Sequence, residues 1–252
     1  MFKFRLKNIG GYSLFELIVV IVIIGIIATV SLKSMRQTYD SIRVEETKKE
    51  LDMLAQAIVG THDLISGGNR TEFGYIGDIG SLPPNLSALV TNPGYATWDG
   101  PYINDKFYAS VGGSESEYAY DGWGKAYTYS GGLTIISNGG SSTITREIAA
   151  STNILLNNSL SFNITDLDLT PPGDTYKDSV KFSYTYPNGT GSIATVEKYP
   201  TSNGLVQYNT LPIGQHTLKV IYIPDNDTLQ RVIIIEPGQT NYQEINLNGN
   251  YW

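Results

Sequence analysis

The sequence contains no cysteine, which excludes a disulfide framework, a thiolate metal site and a thiol nucleophile. It also has few charged residues (16%) and only two histidines. The formal net charge is −7, which argues against nucleic acid as the main partner. What the chain has in quantity is glycine (26 residues) and tyrosine (18 residues) among 252 residues. This composition is typical of a folded protein rich in turns and strands, and not of a disordered one.

The N-terminus combines a short basic leader with a long apolar run. The leader carries Lys3, Arg5 and Lys7 without an acid and ends in Gly10-Gly11, and its removal would change the formal charge from −7 to −10. Residues 14–32 are apolar except near their start, and as a helix they would rise about 28 Å, close to the hydrocarbon thickness of a bilayer. Their many β-branched residues would suit a strand in water, but in lipid a helix satisfies the backbone. The positive-inside rule places the leader in the cytoplasm and the remainder across the membrane.

One acid, Glu16, interrupts this apolar run, and it separates three interpretations of the N-terminus. A conventional signal peptide would be cleaved after Ala28, and a plain single-span anchor would keep the segment, but neither accounts for the acid. Cleavage after Gly11 would instead leave Tyr12 with a positive amine, which can neutralise Glu16 of a neighbouring subunit. An unpaired acid at the bilayer centre costs roughly 3 kcal/mol, and less near a helix end, so this pairing favours assembly.

The pattern GG-YSLFE followed by the apolar run resembles the class III signal of type IV pilins and pseudopilins. The resemblance implies that Gly11 precedes the cut, that Tyr12 becomes N-methylated, and that Glu16 is the assembly glutamate. It implies three kinds of partner: prepilin peptidase, other pilin or pseudopilin subunits, and an inner-membrane assembly platform. Lys33 stands where many members carry proline, so the helix is expected to continue unbroken, and any melting within it would rely on Gly25.

An amphipathic helix is predicted to continue from Lys33 to about Ile65 and to end at Gly67-Gly68. Its charged segment RVEETKKE is predicted to be a solvated face. Its apolar stripe is predicted to pack on a globular head, and consists of Met35, Tyr39, Ile42, Leu51, Leu54 and Ile58.

Residues 67–149 resemble the head of the major pseudopilin of type II secretion systems. The matching residues are Leu82-Pro83, Gly100-Pro101-Tyr102, Asp121, Trp123, Gly124, Tyr127 and Tyr129. Residues 125–130 and 133–137 alternate as strands, with Gly131-Gly132 suited to a tight hairpin between them. Trp123 and the tyrosines are predicted to be core residues.

The related pseudopilins usually bind calcium in the loop after this hairpin, and here the loop departs from the pattern. Residues 137–142 contain no aspartate, and Arg146-Glu147 replaces a later acidic pair. Because calcium prefers six to eight hard oxygen ligands, we predict no calcium at this position. We also predict that the chain binds no other metal and no cofactor. Micromolar calcium binding in isothermal titration would contradict this prediction.

Seven short runs in residues 150–252 predict an all-β sandwich of the immunoglobulin-like kind. The stretch LPIGQHTLKVIYIPDNDTLQRVIIIEPGQ resembles immunoglobulin-like modules of the carboxypeptidase-regulatory kind. The predicted strands are residues 160–169, 179–186, 192–198, 205–208, 215–223, 229–236 and 242–247. Residues 149–158 read as a linker or a first edge strand.

Several polar residues of this C-terminal part invite functional interpretations, and each also has a structural one. Asp225 and Asp227 are predicted to form a hairpin turn, and Asp166 and Asp168 to be solvated. The tyrosines are predicted to pack a sandwich face: Tyr184, Tyr186, Tyr199 and Tyr208. Neither His62 nor His216 belongs to a recognisable catalytic constellation, so the chain is not expected to be an enzyme.

Together these patterns predict an α+β protein with four parts. They are a leader (residues 1–11), a pilin helix (12–66, spanning the membrane at about 14–32), a pseudopilin-like head (67–149) and a β-sandwich (150–252). The expected function is a structural subunit of a bacterial type IV filament system, most simply a minor or specialised component of a type II secretion-type apparatus. The alternative is a minor or adhesive type IV pilus subunit. The protein would be a single-pass inner-membrane protein with its C-terminal part in the periplasm, or outside the cell if assembled into a pilus.

Overall fold

The computed structural model describes residues 11, 13–103, 106–108 and 115–252, with the side chains of 106–108 and 115–117 left aside. The chain divides into two compact units, Met1–Glu45 and Glu46–Trp252. Helix α1 (Leu14–Val59) begins in the first and ends in the second. It runs unbroken through Gly25 and Lys33, as the missing proline predicts.

Helix α1 ends at Val59, which corrects the predicted end near Ile65. Gly60 follows with φ +81°, and a Cβ at this position would overlap the backbone of Glu72 and Phe73. The close approach of a later segment therefore fixes the helix end at the first available glycine. Gly67-Gly68 instead joins the short antiparallel strands β1 (Ile65–Ser66) and β2 (Asn69–Arg70).

The middle region, residues 60–157, contains short elements around one hydrophobic cluster. After β1 and β2 come α2 (Gly74–Ile79), a 3-10 helix (Leu86–Leu89), β3 (Lys106–Tyr108), β4 (Glu115–Glu117), β5 (Thr134–Ser137), β6 (Ile144–Glu147) and α3 (Thr152–Leu156). Side chains from α1, α2 and the 3-10 helix form the centre of this cluster, together with Ile135: Leu51, Leu54, Ile58, Tyr75, Ile76, Ile79 and Leu89. The predicted apolar stripe of α1 is thus confirmed from Leu51 onward. Met35 and Tyr39, by contrast, are 52% and 39% exposed.

The predicted hairpin at Gly131-Gly132 is present only as a minimal pairing, and the regular ladder of this region lies elsewhere. Strand β5 forms its regular ladder with β6, across the loop of residues 138–143. Residues 125–130 form no regular strand and meet β5 in a single bridge, in which Thr128 and Ile136 exchange two backbone hydrogen bonds. The preceding residues are held in a turn, because the Asp121 N–H donates to the Lys125 carbonyl, and so this segment reaches β5 only at Thr128.

All seven predicted C-terminal strands are confirmed, within a few residues at their ends. They are β7 (Asn158–Thr165), β8 (Val180–Pro187), β9 (Ile193–Lys198), β10 (Leu205–Leu211), β11 (Gly214–Tyr222), β12 (Asp227–Ile235) and β13 (Thr240–Asn246). One sheet has the order β10-β7-β13, with β7 and β13 parallel, and the other has the order β12-β11-β8-β9. Alternate side chains of both sheets share one buried cluster. A short helix α4 (Gly173–Tyr176) and a 3-10 turn (Lys177–Ser179) lie between β7 and β8.

Residues 152–156 form helix α3 and not a linker or edge strand, since the Ser151 side chain caps the helix by accepting from the Ile154 N–H. Within the second unit, the C-terminal strands contact the middle region directly. The Gly189 N–H donates to the Ile79 carbonyl at 2.8 Å, and Ile213 joins the buried cluster of the middle region.

Candidate functional site

The predicted processing and assembly residues lie at the start of α1. Gly11 is exposed, and Glu16 is exposed in the first turn of the helix, where a carboxylate interacts favourably with the helix dipole. Tyr12 and residues 1–10 lie outside the described residues, so the predicted methylation position receives no structural account.

The first unit exposes a continuous apolar helix surface. Large apolar side chains from Leu14 to Leu32 are 40–80% exposed, and the first fully buried residue of α1 is Thr47. Water strongly disfavours such a surface, whereas lipid or other apolar helices would cover it. Within the described part of the chain, α1 is the one helix long and apolar enough to cross a membrane.

Asp121, a residue that matches the pseudopilin pattern, uses both carboxylate oxygens inside the protein. One oxygen accepts from the backbone N–H groups of Trp123 and Lys125, at 3.0 and 2.9 Å. The other accepts from the Ser137 hydroxyl at 2.6 Å and the Gly139 N–H at 2.9 Å. Protein donors at Ser137 and Gly139 therefore hold the start of the loop of residues 137–142. Among the described residues there is no group of three or more His, Asp and Glu side chains that could hold a metal ion; the absence of calcium binding stays a prediction.

Two polar contacts connect the part of α1 in the second unit with the segment of residues 121–127. The Tyr127 hydroxyl donates to Glu50 at 2.6 Å, and the Gly122 N–H donates to the Thr47 hydroxyl at 3.1 Å. Burial and the adjacent carboxylate raise the pKa of Tyr127. The prediction of Tyr127 as a core residue is confirmed, whereas Trp123 is only half-buried.

The C-terminal region buries two polar residues whose burial was not predicted. Asp166 was predicted to be solvated, but it is 1% exposed, and one of its oxygens accepts from the backbone of Asp168 and Thr170. His216 is also 1% exposed, and its Nδ1 lies 2.8 Å from the Tyr184 hydroxyl. An Asp at the start of a turn could have indicated an Asx turn, in which its carboxylate accepts from the backbone N–H two residues on. Alternation along β11 could have indicated the inward position of His216.

The other predicted polar positions of this region separate into buried and exposed groups. Tyr184 and Tyr208 pack in the buried cluster as predicted, while Tyr199 is 49% exposed. Asp225 and Asp227 lie at the turn between β11 and β12, as predicted. His62 is exposed in the segment after α1.

A comparison with protein-family models identifies a known motif at the N-terminus. Residues 6–32 match the prokaryotic N-terminal methylation motif. The motif indicates a type IV pilin-like or pseudopilin-like subunit. The motif implies processing by prepilin peptidase and assembly with other pilin subunits. The apolar part of α1 together with the signal indicates a membrane anchor.

Other comparisons add little about this chain beyond residues 6–32. A search of curated proteins finds no significant match. Solved structures with similarity to this chain include the dioxygenase domain of a dioxygenase–carbohydrate-binding protein fusion from Streptomyces sp. SirexAA-E. The two share 10% identity with a TM-score of 0.31, and the match covers 40% of this chain and 86% of the dioxygenase domain. The Bacillus anthracis TIE protein (14% identity, TM-score 0.31) is covered over 24% of its length by 49% of this chain. S.CueP (15% identity, TM-score 0.26) is covered over 70% of its length by 44% of this chain.

Proposed function

We propose that this chain is a non-catalytic structural subunit of a bacterial type IV filament system, acting as a minor or specialised pseudopilin-like component of a type II secretion-type apparatus. The observation that carries the proposal is the methylation motif at the head of an exposed apolar helix. An acid in the first turn of that helix needs a partner within lipid, and the amine of a cleaved neighbour would supply one.

The secretion role rests on residues 67–149 and on their resemblance to the major pseudopilin. Residues of the matching motifs have defined structural roles in the second unit. Asp121 closes its loop, Tyr127 binds Glu50, and the Tyr102 hydroxyl donates to Asp78 at 2.7 Å. The bulk of the C-terminal strands favours a minor or specialised subunit, because every copy in a filament would need room for them on the surface.

The alternative is a minor or adhesive pilus subunit that displays the C-terminal strands outside the cell. Electron microscopy of labelled filaments separates the two roles. A long extracellular fibre that contains this chain would contradict the secretion proposal, whereas its restriction to the cell envelope would support it.

Assembly through Glu16 is tested by Glu16→Ala in the native host. We expect the variant to insert into the membrane and be processed, but to co-purify with the other pilins at least about tenfold less, since the buried amine–carboxylate pair is lost. Asp40→Ala is the matched control, because Asp40 is a 65% exposed carboxylate of the same helix that pairs with Arg43 at 4.0 Å. Unchanged co-purification of Glu16→Ala would overturn the filament proposal.

Processing is tested by mass spectrometry of the N-terminus of the mature protein. A chain that begins at methylated Tyr12 is the expected result. A chain that begins at Thr29 would instead support an ordinary signal peptide, and the filament proposal would fail with it.

A further inference from the structure

The strand register defines two ends of the C-terminal strands. At one end, the Gly189 N–H donates to the Ile79 carbonyl of the middle region, and Gly214 lies close to the backbone of Gly77. At the other, Tyr222 pairs with Val180 of β8 and with Asp227 of β12. This second end, called the far end here, consists of the ends of β11 and β13, the starts of β8 and β12, and the last residues of the chain. It lies a full strand length from the contacts with the middle region.

A cleft of about 210 Å³ opens at the far end, between the edge strands β12 and β13. This volume is below the roughly 300 Å³ at which sites for drug-sized ligands begin, so it suits one small ring. The groups that give the cleft its chemistry come from three strands and the last residues of the chain: Tyr222, Asp227, Arg231, Asn246, Asn248 and Tyr251.

The aromatic side of the cleft is fixed before any ligand binds. The rings of Tyr222 and Tyr251 lie 4.6 Å apart at 60°. The Tyr222 hydroxyl donates to the Tyr251 carbonyl at 2.9 Å, and the Tyr251 hydroxyl donates to Asp227 at 2.6 Å. The next residue is also anchored, because Trp252 Nε1 donates to the Thr170 carbonyl at 2.9 Å. Both tyrosines line the cleft, and rings held in this way lose little side-chain entropy on binding.

The polar side of the cleft offers acceptors and donors of both charge signs. Asp227 and Arg231 are exposed, as is the amide of Asn248. Arg231 contacts the Glu244 carbonyl at 3.4 Å through Nη1, which holds its guanidinium at the cleft edge. A carboxylate, a guanidinium and an amide surround a ring-sized space and can form hydrogen bonds with neighbouring hydroxyl groups of one ligand. Because the carboxylate and the guanidinium carry opposite charges, together they favour neither an anionic nor a cationic ligand.

We propose that the far-end cleft binds a single ring of a neutral saccharide. A pyranose has apolar C–H faces that suit the tyrosine rings and a rim of hydroxyls that suits the polar groups. An anionic polymer is disfavoured because the chain carries a net charge of −7. The site is independent of the assembly role of Glu16, so failure of either proposal leaves the other standing.

The proposal is tested by saturation-transfer difference NMR on the full chain in a detergent without a sugar headgroup. The probes are the methyl glycosides of glucose, galactose, mannose and N-acetylglucosamine. We expect saturation transfer to the ring protons of at least one glycoside, with millimolar affinity for a single ring. No transfer to any of the four would overturn the proposal.

Two variants locate the binding, and one serves as a matched control. Asn248→Ala changes an exposed side chain, and Asp227→Asn keeps the shape and an acceptor for Tyr251, so both are expected to fold. Each should weaken the glycoside affinity at least fivefold. Tyr242→Ala removes a tyrosine of β13 that is 58% exposed and does not line the cleft, and it should bind like the parent chain. Equal binding by all variants would place the sugar outside this cleft, and loss confined to Tyr242→Ala would place it on the exposed face of β13. Either result would overturn the proposal.

Discussion

At the scale of single residues, His216 is an inward-facing ionisable group that has no ion pair among the described residues. Its neighbours are the rings of Tyr184 and Tyr186 and the backbone of Gly214. Its Nε2 has no hydrogen-bond partner among the described residues, and burial lowers the pKa of His216 to about 4 from 6.5. Burial also raises the pKa values of Tyr184 and Tyr208, so this cluster is neutral at physiological pH.

His216 should therefore make the stability of the second unit sensitive to acid. Because its folded pKa lies below its unfolded value, its contribution is complete above about pH 6.5 and is lost as the pH falls toward 4, by up to about 3 kcal/mol. Urea unfolding at pH 7 and pH 4.5, followed by near-UV circular dichroism, measures this loss. His216→Phe should show a smaller loss over the same range, whereas the exposed control His62→Gln should match the parent. Equal pH dependence of parent and His216→Phe would refute the assignment.

At the scale of elements, glycines fix where the elements end and how closely they meet. Gly80 ends α2 with φ +81°, and a Cβ there would collide with the Pro187 carbonyl at the end of β8. Gly67 has a similar φ, +60°, but a Cβ there would meet nothing within 4 Å. The two positions thus separate the backbone requirement for glycine from the packing requirement.

Gly80→Ala should destabilise the second unit much more than Gly67→Ala. Gly67→Ala has the cost of a left-handed conformation alone, about 1–2 kcal/mol. Gly80→Ala has this cost and must also displace β8, which adds at least about 2 kcal/mol. Urea unfolding of the two variants gives both values. Similar losses in the two would mean that α2 and β8 can separate at little cost, contrary to the contact described here.

At the scale of the whole molecule, Arg70 connects α1, the middle region and the C-terminal strands. Its side chain is 3% exposed, and it donates to the Val59 carbonyl at the end of α1 and to the Glu72 carbonyl at 2.8 Å. It lies 4.4 Å from the centre of the Phe73 ring and pairs with Glu236 at 3.4 Å. A buried cation at a helix C-terminus is favourable, and here one guanidinium satisfies groups from three parts of Glu46–Trp252.

Arg70→Met should weaken these parts together. We expect a loss of about 2–4 kcal/mol, because buried carbonyls and Glu236 lose their donor. The control Arg146→Met removes an exposed pair with Asp52 at 2.9 Å and should cost at most about 1 kcal/mol. Hydrogen exchange followed by mass spectrometry should show faster exchange in both β5 and β11 of Arg70→Met. Faster exchange in one of them alone would mean that Arg70 does not couple the two regions.

The sequence by itself determined the features that depend on local chemistry. The methylation motif lies within one short segment, residues 6–32, which contains Gly11 and Glu16. The apolar run predicts the first half of α1, and alternation with turn residues predicts all seven C-terminal strands. These patterns are local because helix and strand periodicity arise from neighbouring residues.

The tertiary structure decided what depends on residues far apart in the chain. The end of α1 at Val59 follows from the approach of Glu72 and Phe73 to Gly60, although Gly67-Gly68 offers the same local signal. Strand β5 forms its regular ladder with β6, and the turn at Asp121 limits the contact of β5 with residues 125–130 to one bridge. The far-end cleft combines residues of β11, β12 and β13 with Tyr251, which only sheet packing brings together. Local periodicity carries no information about such long-range contacts, because they depend on which surfaces meet once the elements have formed.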